Sequence, residues 1–226
     1  MRERVLRIHR PGRIGYGEAC EVQRRLAARV ITERLEAHLL LVEHPPVITL
    51  GRNAKSANIL LPAEELRRRG IALEKTDRGG DVTWHGPGQV VGYPILHLPT
   101  WMLTLTDYVR GLERAMVRAC AEFGVAAATG GDVIGAWVDG RKIGSVGIHV
   151  SRGVTTHGFA LNGCPDLSGF RLINPCGMPG CPMTSIEAES KKKVTWGEVA
   201  AAMARELEIL LSPDLVLDAD AIENRR

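Results

Sequence analysis

With 226 residues, 45% of them apolar and 24% charged, the chain is long enough for one large folded unit or two small ones. Its formal charge of +3 is too mild to imply nucleic acid. No run of about 18 uncharged apolar residues occurs, which excludes a membrane-spanning helix. The N-terminal MRERVLRIHRPGR is charged and lacks the apolar centre of a secretory signal, so a cytoplasmic location is expected.

The first predicted helix covers 17–37, where Ala19, Val22, Leu26, Val30 and Leu35 recur near helical spacing. LLLVE (39–43) reads as a buried strand, broken by His44-Pro45-Pro46, and VITLG (47–51) resumes extended structure. A short helix is expected from about Pro62 to Gly70, followed by a strand over IALEKT (71–76). RGGDVTWHGPGQ (78–89) is a glycine-rich loop with a short strand inside it. QVVGYPILHL (89–98) is the next strand, and Pro94 suggests an edge or a bulge. A second helix over 105–123 puts Tyr108, Leu112, Met116, Ala119 and Phe123 on one face.

GAWV (135–138) and RKIGSVGIHVSR (141–152) flank Asp139-Gly140, a two-residue hairpin signal, and VTTHGFALN (154–162) returns after Arg152-Gly153. Residues 163–190 read as irregular. The last helix opens on the capping box Thr195-x-x-Glu198 and runs to about Leu211, before Pro213. Helices and hairpins without sustained βαβ alternation predict an α+β fold with a mostly antiparallel or mixed sheet. The chain is read as a single domain over 1–226, with a C-terminal subdomain from about 195 as the alternative.

Cys20, Cys120, Cys164, Cys176 and Cys181 are an odd number, which argues against a disulfide framework. Cys176-x4-Cys181 is too wide for a zinc knuckle; a metal set of Cys164, Cys176, Cys181 and His157 is the alternative use of these side chains. The glycine loop matches neither phosphate motif. There is no G-x4-G-K-[ST], and Gly86-Pro87-Gly88 lacks a third glycine and leads into a strand.

Pro175-Cys176-Gly177 places a cysteine between a residue of fixed φ and one that tolerates positive φ, which suits a thiol on a sharp turn facing a cavity. The alternative is a small apolar residue in a loop. Lys142, two residues past a hairpin turn, reads either as a solvated lysine or as the partner of that thiol. A free thiol has a pKa near 8.5, so only about 3% is thiolate at pH 7, and a neighbouring ammonium favours the thiolate. The basic runs Arg67-Arg68-Arg69 and Lys191-Lys192-Lys193 read as solvated surface or as docking sites for an acidic protein.

RGGDVTWHGPGQVVGYP (78–94) closely resembles the signature of the lipoyl(octanoyl) transferases, also called lipoate-protein ligase B. EHPPVITLGR (43–52), GRKIGSVGIHVSRGVTTHGFALN (140–162) and NPCG (174–177) resemble the same family in the expected order. The resemblance spans roughly 15–188 and is loose after about 195. It implies the catalytic fold shared with biotin and lipoate ligases: a mixed sheet, a smaller second sheet and surrounding helices. It also implies transfer of an octanoyl group from octanoyl-acyl carrier protein to a lysine of a lipoyl domain. The acceptors it implies are 2-oxoacid dehydrogenase subunits and the glycine cleavage H protein.

By position, Cys176 matches the acyl-thioester cysteine and Lys142 the lysine that tunes it. Arg78, Gly79, Gly80, Asp81, Val82, Thr83, Trp84 and His85 match one substrate-binding segment. Ser145, Val146 and Gly147, and then Gly158, Phe159 and Ala160, match the other two. Asp81 and Val146 stand where the family varies. Thioester-to-amide transfer runs downhill without ATP, so neither a cofactor nor a metal is expected.

In the expected ping-pong cycle, N–H groups at 176–177 and in the glycine loop hold the oxyanion. An apolar slot lined by the loop glycines, Gly147 and Gly158 would bury six or seven methylenes, worth roughly 5 kcal/mol. His85 orients either the loop or the acyl carbonyl, or is a structural histidine bonded to backbone. The competing expectations are an ATP-dependent lipoate or biotin ligase on the same fold and a non-catalytic acyl-binding or thiol-sensing protein.

Overall fold

Apolar and polar residues alternate from the start of the chain. Leu6 and Ile8 are buried and alternate with Val5 and Arg7, and the segment forms strand β1 (Val5–Arg13). This is a computed structural model, and it describes residues 3–130 and 133–219; the remaining positions lie outside the described residues. Helix α1 (Tyr16–Thr32) buries Ala19, Val22 and Val30. It stops five residues short of the predicted 37, where the Glu33 N–H bonds Arg29 O, and a tight turn leads into β2 (Glu36–Glu43).

The other elements follow in order: β3 (Val47–Leu50), α2 (Ala63–Arg68), β4 (Ala72–Lys75), β5 (Val82–His85), β6 (Gln89–Ile95) and α3 (Leu105–Glu122). Next come β7 (Ala128–Thr129), β8 (Ala136–Val138), β9 (Arg141–Ser151), β10 (Val154–Asn162), α4 (Ile186–Ser190), α5 (Trp196–Leu211) and β11 (Leu215–Ala219). Strands β1, β7 and β11 and helix α4 were not anticipated. RVLRIHR alternates with arginine and has no turn signal before it. β7, α4 and β11 are short elements held by tertiary neighbours.

Eight strands form one mixed sheet in the order β11-β1-β2-β6-β10-β9-β8-β7, and β4-β3-β5 form a small second sheet. Together with the helices this is the expected α+β architecture. The sequence of β2, HLLLV, has no alternation because its residues 37–42 are buried on both faces. Asp139-Gly140 and Arg152-Gly153 both have positive φ and close the β8–β9 and β9–β10 hairpins as predicted.

Pro94 is not on an edge. It lies in β6, between β2 and β10, opposite Leu39. On the β10 side the ladder is interrupted at His157, whose φ is +57°, so no strand N–H is missed there. The carbonyl of Pro94 accepts instead from Thr155 Oγ1 at 2.8 Å and Tyr108 Oη at 3.1 Å. Neither alternative describes Pro94: it is not on an edge, and there is no bulge, because pairing resumes at His97 opposite Val154 in the same register as Gly92 opposite Phe159.

Helices α3 and α5 cover one face of the large sheet. Leu112, Met116 and Ala119 share a core with Val199, Met203 and Leu207, so the C-terminal helix packs into the same interior as the rest. The capping box of α5 is present as predicted: the Thr195 side chain accepts from Glu198 N–H and Glu198 Oε2 accepts from Thr195 N–H. Helix α1 covers the opposite face, with Ala19 and Val22 against Leu40, Val42, Val91 and Tyr93. The small sheet encloses a separate cluster of Ile48, Leu66, Val82, Trp84, Phe170 and Ile173. No described helix is long and apolar enough to cross a membrane.

β1 and β2 also carry a buried histidine pair, His9 Nε2 to His38 Nδ1 at 3.0 Å. Burial, together with neighbouring positive charge, pushes both down from 6.5 to about 4. The unfolded chain takes up these protons more readily than the folded one. The stability linked to the pair is therefore complete above pH 6.5 and is lost as pH falls towards about 4. Thermal melts should show a midpoint lower by about 5–10 °C at pH 4.5 than at pH 7, and His9→Gln should reduce that difference.

Candidate active site

Asn174 leads into a single 3-10 turn, Pro175–Gly177, in which Cys176 has φ +56° and Gly177 φ +74°. A non-glycine residue in this region costs about 1 kcal/mol, so the turn must be held from outside. The Asp81 carboxylate accepts from Asn58 Nδ2 at 2.7 Å, from Val82 N–H at 2.8 Å and from Lys55 N–H at 3.2 Å. Asn58 in turn bonds Asn174 twice: its Oδ1 accepts from Asn174 Nδ2 at 3.2 Å and its carbonyl accepts from Asn174 N–H at 2.9 Å. A Cβ on Gly177 would stand 2.7 Å from Asp81 Oδ2, so only glycine fits beside this clasp. Cys176 itself is exposed.

Lys142 is the second residue of β9 and is 1% exposed, against the solvated-turn alternative. Its N–H donates to Pro182 O at 2.8 Å and its carbonyl accepts from Thr184 N–H at 2.9 Å, which brings the 182–184 segment alongside. Nζ donates to Ile134 O at 3.1 Å, lies 5.1 Å from the Trp137 ring centroid, and stands 3.4 Å from Cys176 Sγ. The lysine is thus held by a carbonyl and an aromatic face, with the thiol as its third neighbour.

From Cys176 a pocket runs between the large and small sheets. Val91 and Tyr93 of β6, Ser145–Gly147 of β9 and Gly158–Ala160 of β10 form one side. Arg78–Asp81, Thr83 and His85 form the other, with Tyr16 and His157 also lining it. The two-residue period of β5 sorts the predicted segment: Thr83 and His85 line the pocket, while Val82 and Trp84 pack into the small-sheet cluster, Trp84 edge-on to Phe170.

Arg78 is buried without a carboxylate partner among the described residues. Its guanidinium donates to the Thr49 hydroxyl and carbonyl and to the carbonyls of Gly79 and Asp81. Burial lowers its pKa from the ordinary arginine value, an effect opposed by Tyr16 and Cys176 nearby.

The glycines do not vacate space for a chain, as the sequence reading expected. A Cβ on Gly147 would meet Gly79 O at 3.1 Å and Arg78 Cδ at 3.3 Å, one on Gly79 would meet Ile148 O at 3.3 Å, and one on Gly158 would overlap Gly92 O. Further along the loop, a Cβ on Gly86 would collide with the Trp84 ring and one on Gly88 with the Cys164 backbone. These glycines allow backbones to touch. The pocket is the space the close-packed backbones enclose.

His85 Nδ1 lies 2.6 Å from Gln89 Oε1. Gln89 Nε2 donates to Asn162 Oδ1 and Trp84 O, and Asn162 Nδ2 donates to Thr184 O. That chain fixes each amide's orientation, so Nδ1 carries the proton and Nε2 is an acceptor. Burial pushes His85 down to about 3, so it stays neutral. An acceptor cannot polarise an acyl carbonyl, so orienting the loop is the role its bonds support. The partner of Nδ1 is a side chain, not the backbone. The Gly177 N–H, expected to hold an oxyanion, is already bonded to Asn174 O at 3.0 Å.

Residues 15–208 match the model of the lipoyl protein ligase A/B catalytic domain. The chain belongs to that family. A protein of Solibacter usitatus named octanoyltransferase is 50% identical over 177 residues, 78% of this chain and 80% of its own. One of the same name from Geobacter sulfurreducens is 46% identical over 207 residues, 92% of this chain and 82% of its own. Among solved structures, lipoate-protein ligase A bound with ATP superposes with a TM-score of 0.74 at 15% identity, covering 99% of this chain and 90% of that one. The biotin protein ligase of Leishmania major gives 0.51 at 14% identity, covering 92% and 74%. The folds are shared, and the relatives' common name makes this member of the lipoyl protein ligase A/B family an acyltransferase of protein lipoylation.

Within this lipoyl protein ligase A/B domain, Cys176 and parts of all three predicted segments line one pocket, and Lys142 reaches it through Cys176. Tyr16, Val91, Tyr93 and His157 were missed as lining. Asn58, Asn174, Gln89 and Asn162 were missed as supports, because no local pattern marks a side chain whose partner is 116 positions away. His44 was seen only as a strand breaker. It takes the Tyr93 hydroxyl proton at Nε2, 2.7 Å, while its Nδ1 serves Ile14 O.

The considered metal set is not assembled: no group of three or more His, Cys, Asp or Glu among the described residues is placed to hold an ion. Of the basic runs, Arg68 and Arg69 pair with Glu65 on their own helix, and Lys191–Lys193 rim a surface depression with Cys164 and Asp166. Asn58→Ala should cost about 1–2 kcal/mol of stability in denaturant melts and slow alkylation of Cys176 by iodoacetamide, because the Cys176 turn loses its clasp.

Proposed function

We propose that the protein moves an octanoyl group from octanoyl-acyl carrier protein to a lysine of a lipoyl domain through a thioester on Cys176. The observation that carries this reading is the 3.4 Å approach of buried Lys142 Nζ to Cys176 Sγ at the end of a pocket lined by Val91, Val146, Phe159 and Ala160. Arg78–Asp81, Thr83 and His85, with Ser145–Gly147 and Gly158–Ala160, are the proposed substrate walls. Lipoyl domains of 2-oxoacid dehydrogenase subunits and the glycine cleavage H protein are the proposed acceptors.

The thiolate attacks the donor's thioester carbonyl and forms the C–S bond. As the tetrahedral intermediate collapses, the carrier thiolate leaves and takes a proton from the Lys142 ammonium. The acyl chain then lies in the pocket, where burying six or seven methylenes contributes roughly 5 kcal/mol. Neutral Lys142 next accepts a proton from the acceptor amine as that nitrogen attacks the thioester. The amide forms, and the Cys176 thiolate and the Lys142 ammonium are restored together.

Lys142 is an amine beside an acyl group and must not acylate itself. Its bond to Ile134 O and its position over Trp137 hold Nζ away from attack on the carbonyl. No step consumes a nucleotide, so the reaction separates cleanly from ATP-dependent ligation on the same fold.

Intact-mass measurement after mixing with octanoyl-carrier protein in ATP-free buffer should show an octanoyl adduct that disappears when a lipoyl domain is added. Cys176→Ser should abolish the adduct, and Lys142→Ala should slow its formation by about 10²–10⁴-fold. Modification of the lipoyl domain only when ATP is present would defeat the proposal. So would an adduct that persists after the acceptor is added, which is the behaviour of a non-catalytic acyl-binding protein.

A further inference from the structure

Glu113 is a carboxylate in the interior of α3 with no exposed surface. A buried carboxylate needs partners to offset its lost hydration, and its two oxygens each have one. Oε2 accepts from Arg110 Nη1 at 2.8 Å, one helical turn earlier. Oε1 accepts from the Gly135 N–H at 2.7 Å. The Gly135 nitrogen belongs to the same peptide group as the Ile134 carbonyl, and that carbonyl is the one that accepts from Lys142 Nζ at 3.1 Å.

One amide is therefore held at both ends, by a carboxylate on its N–H and an ammonium on its C=O. A carboxylate on the N–H side draws the amide's electrons towards oxygen and strengthens the bond on the carbonyl side. The backbone is built for this contact: Gly135 has φ +141°, and a Cβ there would lie 2.9 Å from Lys142 Cε and 2.5 Å from Gly144 O.

We propose that Glu113 is the positioning residue of Lys142, acting through the single peptide group between Ile134 and Gly135. It aims Nζ at Cys176 Sγ and, although ion-paired with Arg110, adds negative charge on the N–H side of the amide that the lysine binds. The inference rests on the proposed use of Lys142 in acyl transfer.

The test uses the full chain, Glu113→Gln and Glu113→Leu, and two readouts: the pH dependence of Cys176 alkylation by iodoacetamide, and single-turnover octanoyl transfer. Glutamine keeps an acceptor for Gly135 but removes the charge. The surroundings of the thiol become more positive, and the midpoint of the alkylation profile moves to lower pH by about half a unit. Leucine frees the peptide group and lets Nζ leave the sulfur. The midpoint then moves to higher pH, and transfer slows by about tenfold or more, with the donor KM within about twofold of the parent.

A purely structural glutamate would give two variants with lower melting temperatures and the parental alkylation profile, and that result overturns the inference. If the leucine variant does not fold, the glutamine profile decides alone. A shifted glutamine profile in a protein that transfers no octanoyl group supports the link to Lys142 and defeats the proposed function instead. A parental profile in a protein that does transfer it defeats the link only.

Discussion

A lysine ammonium taken out of water beside a thiol is the contact on which the rest of this molecule depends. A buried ammonium loses its hydration and needs fixed partners. The 3.4 Å approach lasts only while neither side chain can swing away. Much of the surrounding architecture serves that condition. Lys142 is fixed by a peptide group clamped to α3, by the Trp137 face and by two backbone bonds to the 182–184 segment. Cys176 is fixed by a turn in left-handed geometry that Asn58, Asp81 and Asn174 hold in place.

The pocket beyond the pair is formed without a large cavity. Backbones approach at the glycines of 79–80, 147 and 158, and the gap between the two sheets is what remains. One wall carries a buried arginine whose hydrogen-bond partners among the described residues are a hydroxyl and carbonyls, with the Asp81 carboxylate acting on it through space. His44, His85, Tyr16 and Tyr93 cluster beside it, and burial lowers both histidines below their ordinary range. Neutral rings with fixed tautomers make a rigid floor whose geometry does not change with protonation near neutral pH.

Several parts of the fold were legible in the chain. The hairpins at Asp139-Gly140 and Arg152-Gly153, the α5 capping box and the amphipathic faces of α1 and α3 are local features, and their physics lies within a few residues. The strands β1 and β11 were not: β11 is a five-residue edge strand stabilised by its neighbour, and β1, nine residues between β11 and β2, is interspersed with arginines. Pro94 misled, since it marks neither an edge nor a bulge. A proline in an interior strand is allowed only because His157 interrupts the ladder opposite it, and that residue lies 63 positions later.

Residue type and spacing alone pointed to an α+β chain, offered a sharp turn at Cys176 as one of two readings, and showed which blocks resemble one family. Only the tertiary structure decided that Lys142 is buried rather than solvated, that Val82 and Trp84 turn away from the pocket, and that Asp81 holds the Cys176 turn. It also decided that Glu113 reaches the lysine through one amide. The reason is common to all four. Burial and pairing are set by segments far apart in the chain, and a residue's charge, tautomer and aim follow from what the fold packs against it.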